Sequence, residues 1–138
     1  MANNNPIYLG VDGPFVVFKI PQENLLDEIT VTIKIEIFED GWLYDSDHII
    51  TIQGNPNDLY NEEAPPVALS IGIGEEIIGK KFRTYSRVRL IKDGADTNIP
   101  PSIKFTISYF ANGALIDEFE RTSDHVNPEN FITDTKFK

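Results

Sequence analysis

Residues 80–92 read Lys-Lys-Phe-Arg-Thr-Tyr-Ser-Arg-Val-Arg-Leu-Ile-Lys; six of the chain's 12 basic residues lie here, and no acid does. Taken two at a time, Arg83, Tyr85, Arg87 and Arg89 share one face of an extended strand, and Phe82, Thr84, Ser86, Val88 and Leu90 take the other. Three guanidinium groups in a row can grip carboxylates, phosphates or sulfated sugars in two-pronged hydrogen bonds. A base or sugar ring can stack on Tyr85. The competing use is internal: Glu36, Glu118 or Glu120 on neighbouring strands would neutralise the arginines in a cross-strand ladder. In a chain with 22 acids and a net charge of −10, the ladder is the leading expectation. Contact with an acidic partner or a second copy comes next, and a small anionic ligand after that.

The second constellation is acidic. Glu39, Asp40, Asp45, Asp47 and His48 fall within ten residues and read as a loop after the Asp40-Gly41 turn. Such a loop could serve as a contact with a basic surface or hold Ca²⁺, which takes six to eight oxygens. Asp58, Glu62 and Glu63 could add ligands if their loop sits at the same end. The spacing is not that of an EF-hand, because Gly41 precedes the Asp-Ser-Asp run instead of sitting inside it. A solvated acidic loop without metal is the expected reading. Trp42 and Tyr44 lie in the same stretch; exposed, they could stack on a sugar or anchor a protein, although a lone Trp in a β protein belongs more often to the core.

Catalytic readings find little support. Ser-Asp-His occurs at 46–48 and again at 123–125. Sequence neighbours on a strand point to opposite faces, so neither copy can converge as a triad. Gly74-Glu75-Glu76-Ile77-Ile78-Gly79-Lys80 matches the first seven positions of a phosphate loop, but Lys81 stands where Ser or Thr is required and two glutamates would meet the phosphates. No catalytic residue is assigned. No metal site is assigned either, and the expected cofactor set is empty apart from the Ca²⁺ alternative.

These residues need a frame, and the frame is legible. Residues 29–37, Ile-Thr-Val-Thr-Ile-Lys-Ile-Glu-Ile, alternate strictly between β-branched apolar and polar side chains. That is the pattern of a strand with one face buried, in an antiparallel sheet. Strand-length apolar runs recur near 14–20, 48–53, 67–73, 81–92, 103–110 and 114–121, with a further short one near 131–137. Asp12-Gly13, Asp40-Gly41, Asp93-Gly94 and Asn112-Gly113 are turn dipeptides between them. Single helical turns fit at 23–27, 58–63 and 127–130, and no segment sustains a 3.6-residue period. At the 103–121 hairpin, a three-residue loop 111–113 would pair Phe105 with Phe119 and Tyr109 with Leu115, with Asp117 opposite Ile107 as a bulge or edge site. A two-residue Asn-Gly turn would set Phe105 opposite Glu120 and Ile107 opposite Glu118, a poorer core. Seven or eight short strands predict an all-β, single-domain antiparallel β-sandwich over 1–138, immunoglobulin-like or fibronectin-like, with 1–6 as a flexible arm.

Composition narrows the function classes. The chain has 138 residues and 41% hydrophobic content, enough for one packed domain. With no cysteine there is no disulfide, thiolate metal site or Cys nucleophile, which fits a reducing cytosol. No run is long enough to insert in a membrane, and Met-Ala-Asn-Asn-Asn-Pro is not a secretory signal. The expected location is the cytoplasm or a particle assembled there. The net charge repels nucleic acid. The expected function is a non-enzymatic protein–protein interaction module, a structural subunit of a capsid, a tail-like particle or a surface machine, contacting another protein or a second copy. Two alternatives stand beside it: a calcium- or carbohydrate-binding module, and an acidic inhibitor or immunity-type protein that masks a basic partner.

Overall fold

A computed structural model describes residues 14–123 and 127–138. Among the described residues there are nine strands: β1 (Phe15–Phe18), β2 (Glu28–Ile37), β3 (Trp42–Ile52), β4 (Tyr60–Glu62), β5 (Leu69–Ile73), β6 (Lys81–Lys92), β7 (Ile103–Ala111), β8 (Ala114–Ser123) and β9 (Glu129–Phe137). A 3-10 turn at Gln22–Asn24 and one helical turn, α1 (Gly74–Ile77), complete the elements. The strands form a five-stranded sheet, β1-β9-β6-β3-β4, and a four-stranded sheet, β5-β2-β7-β8. All pairings are antiparallel except β1 with β9. The protein is therefore all-β with two sheets, an arrangement compatible with a β-sandwich.

Alternation builds the core. Ile29, Val31 and Ile33 of β2 are buried, in register with Ala111, Tyr109 and Ile107 of β7. From the other sheet, Phe82, Val88 and Leu90 of β6 and Phe131 and Phe137 of β9 enter the same cluster. The sheets meet through their rings: Phe105 stacks on Phe131 at 4.5 Å, and Tyr109 sets its edge to Phe137 at 5.0 Å. The Tyr109 hydroxyl lies 3.3 Å from Thr135 Oγ1, and burial pushes the phenol up to about 12.

The β7–β8 hairpin differs from the expected register. Asn112 and Gly113, both at positive φ, form a two-residue turn that pairs Ala111 with Ala114 and Phe110 with Leu115. The register then shifts by one, so that Tyr109 faces Asp117 and Ile107 faces Phe119. A bulge was expected with Asp117 opposite Ile107; instead the shorter turn and a bulge beside Tyr109 set Asp117 opposite Tyr109 and Phe119 opposite Ile107, not Phe105. The other departures are local. Residues 42–47 extend the strand expected at 48–53, and 60–62 pair as β4 instead of coiling. Asn127 caps no helix. Its side chain accepts from the Leu90 N–H at 2.8 Å and donates to the Leu90 carbonyl at 3.0 Å, holding the chain beside β6. The expected arm at 1–6 lies outside the described residues.

Candidate functional site

The basic strand is β6, and it runs inside the five-stranded sheet between β3 and β9. Its polar row lies on the face away from the main core, as one alternating set, but only Arg87 and Arg89 are exposed. Arg83 is largely covered, and Tyr85 is buried with Ile49 and Ile132, so no ring can stack on it. In register with β3, the outer face reads Leu43 beside Ile91, Asp45 beside Arg89, Asp47 beside Arg87, Ile49 beside Tyr85 and Thr51 beside Arg83. An acidic column therefore stands next to a basic one. The ladder anticipated for these arginines exists, with other partners. Glu36, Glu118 and Glu120 belong to strands of the four-stranded sheet. There Glu36 approaches Lys34 at 3.9 Å and Glu120 approaches Lys104 at 3.3 Å.

The rows differ in how they are engaged. Arg89 binds Asp45 with two prongs, Nε to Oδ1 at 3.2 Å and Nη2 to Oδ2, and this holds the guanidinium above its ordinary pKa. Both side chains are more than half exposed. Arg83 binds Asp134 of β9 in the same way, at 2.8 and 2.9 Å, with Lys81 at 3.8 Å. Here both partners are largely buried. Arg87 and Asp47 are exposed and opposite in register, yet among the described residues neither completes an ion pair. Tyr85 donates from its hydroxyl to Asn130 Oδ1 at 3.2 Å. Burial raises its phenol; Arg87 opposes that rise and Asp47 adds to it.

The acidic segment is not one loop. Only Glu39 and Asp40 lie in the connection 38–41; Asp45 and Asp47 are on β3. The turn that separates them needs glycine, because Gly41 has φ +86° and a Cβ there would lie 2.6 Å from Ala95 Cα. The Gly41 carbonyl also accepts from the Asp93 N–H at 2.7 Å, which sets the start of β3 beside the end of β6. A groove of about 670 Å³ adjoins the charged columns, lined by residues 44–47, residues 63–65, Arg87 and Arg89. It thus joins members of both sequence constellations. Among the described residues, no three His, Asp or Glu side chains are close enough together to hold a metal ion.

Trp42 is half-buried against the core, and its buried indole N–H makes no hydrogen bond among the described residues. Tyr44 is partly exposed and lines the groove.

His48 has a role the sequence did not suggest. Ser46 and His48 point inward while Asp47 points out, so the 46–48 triplet does not converge. His48 is fully buried, with Nδ1 2.7 Å from Ser86 Oγ and Nε2 2.9 Å from Ser46 Oγ. Ser46 donates its only hydroxyl hydrogen to the Glu63 carbonyl at 3.0 Å. Nε2 must then carry the ring hydrogen and donate to Ser46, while Nδ1 accepts from Ser86. Burial lowers the His48 pKa to about 4, so the ring is neutral at pH 7. This network ties β3 to β6 and to the segment after β4 from the inside. Two of its members, Ser46 and Glu63, also line the groove. The second Ser-Asp-His, at 123–125, lies partly outside the described residues.

Asp134 is the other residue that sequence reasoning missed. The expected short strand near 131–137 held the signal, since Asp134 alternates with the apolar row of Phe131 and Phe137. Among the described residues no helix is long and apolar enough to cross a membrane. Compared with known proteins, no family model, no curated protein and no solved structure matches this chain.

Proposed function

We propose that the chain is a non-enzymatic protein–protein interaction module, a structural subunit of a larger assembly such as a capsid, a tail-like particle or a surface machine. Its contact surface is the outer face of β3 and β6 with the adjoining groove. One observation carries this reading: Asp47 and Arg87 stand exposed and without ion-pair partners among the described residues, in a row flanked by the Asp45–Arg89 pair. Opposite charges side by side on a sheet face suit a protein surface of matched pattern better than a single small ion. The exposed Leu43–Ile91 row beside them supplies apolar area.

The immunoglobulin-like kinship belongs to the same proposal. The order β9-β6-β3-β4 corresponds to strands G, F, C and C′ of variable-type domains. The β7–β8 hairpin, inserted between β6 and β9 in the chain, departs from that plan.

The experiment places a photo-crosslinking side chain at position 43 and irradiates extracts of the source cells. The expected result is one defined crosslinked species, lost when Arg87→Glu is added and retained with Glu118→Lys on the other sheet. Crosslinks that survive Arg87→Glu, or none at all, would reject the face as a contact site. A carbohydrate module is the second reading, favoured by Tyr44 at the groove beside carboxylate and guanidinium groups. It predicts that Tyr44→Ala abolishes retention on a glycan array.

A further inference from the structure

The outer face of β3 and β6 has a symmetry that neither strand has alone. β3 contributes Leu43, Asp45 and Asp47; β6 contributes Ile91, Arg89 and Arg87 at the same heights. Neighbouring strands are about 4.8 Å apart. A two-fold axis parallel to the strands and midway between them exchanges the two columns. Two copies laid face to face about that axis put Asp47 of each over Arg87 of the other, and Leu43 of each over Ile91 of the other. Among these six side chains no like charges meet, and each opposite-charge contact occurs twice. Such self-complementarity is what an isologous contact requires.

We infer that this face docks a second copy of the same chain, with Arg87 and Asp47 as the reciprocal pair and Leu43 and Ile91 as its apolar flank. The inference rests on the interaction reading above and names the partner. Charge complementarity selects it. The acidic column alone would suit a basic partner and the basic column alone an acidic one, but the two side by side suit a surface with the same two columns. Arg87 and Asp47 are the groups best placed to gain, because both are exposed and neither is held by an ion pair among the described residues. The Asp45–Arg89 pair would extend the ion-pair array across the interface without needing to break. Leu43 and Ile91, 56% and 40% exposed, would lose apolar surface to water-free contact.

The test is the mass in solution of the full chain and two charge reversals, by light scattering and sedimentation at about 50 µM and at low and near-physiological salt, where the screening length falls from about 30 to about 8 Å. The wild type is expected to be a dimer that loosens with salt. Arg87→Asp and Asp47→Arg, each alone, set like charges against each other and should weaken dimerisation about tenfold or more. Mixed in equal amounts, the two variants should pair with each other, since both reciprocal contacts are restored between unlike chains. Unfolding curves confirm that each variant is folded, and recovery in the mixture cannot arise from misfolded chains. A wild type that is monomeric at both salts, or a dimer indifferent to both reversals, would overturn the inference. So would variants that stay monomeric when mixed. If the wild type is monomeric while position 43 crosslinks to a different protein, the two-fold contact fails and the interaction reading stands. If position 43 crosslinks to nothing, both fail.

Discussion

Two arginines six residues apart on β6 grip carboxylates with the same two-pronged geometry, and they do different work. Arg83 binds Asp134 of β9 in a largely buried setting, whereas Arg89 binds Asp45 of β3 in the open. Their surroundings account for the difference. Arg83 lies toward the start of β6, where β9 covers one side and β1 lies beyond β9, with Lys81 close by. Arg89 lies toward the opposite end, beside the groove. A buried pair is costly to break, because the survivor is left charged and desolvated. An exposed pair is held weakly and screened by salt. The same side-chain chemistry therefore forms a buried clamp at one end of the strand and an exposed pair, on the face proposed for docking, at the other.

The largest test of this contrast is at the buried pair. Asp134→Asn leaves the Arg83 charge without its carboxylate and should lower stability by about 3 kcal/mol in urea or thermal unfolding. Replacing both partners, as Arg83→Met with Asp134→Leu, should recover most of that loss. If the double variant were as unstable as the single one, the clamp would not be the source of the effect.

Beneath the exposed end lies a buried group that titrates. His48 has a folded pKa of about 4 against an ordinary value of 6.5, because burial disfavours the charged ring. Between those values the unfolded chain binds a proton that the folded chain does not, so stability falls as pH drops from about 6.5 to about 4. The loss amounts to about 3 kcal/mol at most and is complete near pH 4. Unfolding curves across this window should be steeper for the wild type than for His48→Gln. Parallel curves would mean that the ring is not held neutral.

At the exposed pair the effect on stability should be far smaller. Asp45→Asn is expected to leave the melting temperature nearly unchanged while altering the salt dependence of self-association, read by light scattering. A large loss of stability would erase the distinction between clamp and docking surface. Smallest of all should be Glu36→Gln and Glu120→Gln, within about 0.5 kcal/mol of wild type and without effect on association. Both lie on the other sheet, so a change in association would contradict the strand order.

Much of the frame was legible because alternation is a local property. The buried row Ile29, Val31, Ile33 and the outward row Arg83, Tyr85, Arg87, Arg89 follow from period two in one stretch of chain. The place of the turn at Asn112-Gly113 was legible for the same reason, since both residues accept positive φ, but its length was not: a three-residue loop was expected and two residues make the turn. Residues 42–47 were harder. Trp-Leu-Tyr-Asp-Ser-Asp reads as an aromatic and acidic loop after the Asp40-Gly41 turn, and it is extended because β6 offers it a full ladder of hydrogen bonds. The hairpin bulge was likewise decided by the need to bring Phe119 over Ile107, a demand the turn itself does not contain.

Sequence by itself determined the all-β class, the absence of thiol chemistry and the row of side chains that faces out from β6. Each of these depends on residue identity or on spacing within one strand. Tertiary structure alone decided which carboxylates meet those arginines. Asp45, Asp47 and Asp134 lie 44, 40 and 51 positions from Arg89, Arg87 and Arg83, and Glu118 and Glu120 are nearer in sequence to all three arginines than those carboxylates are. Strand order sets partners across such distances, because it follows from how two sheets share one core and not from any charge on their surfaces. Self-complementarity on the outer face thus became visible only when β3 and β6 were seen side by side.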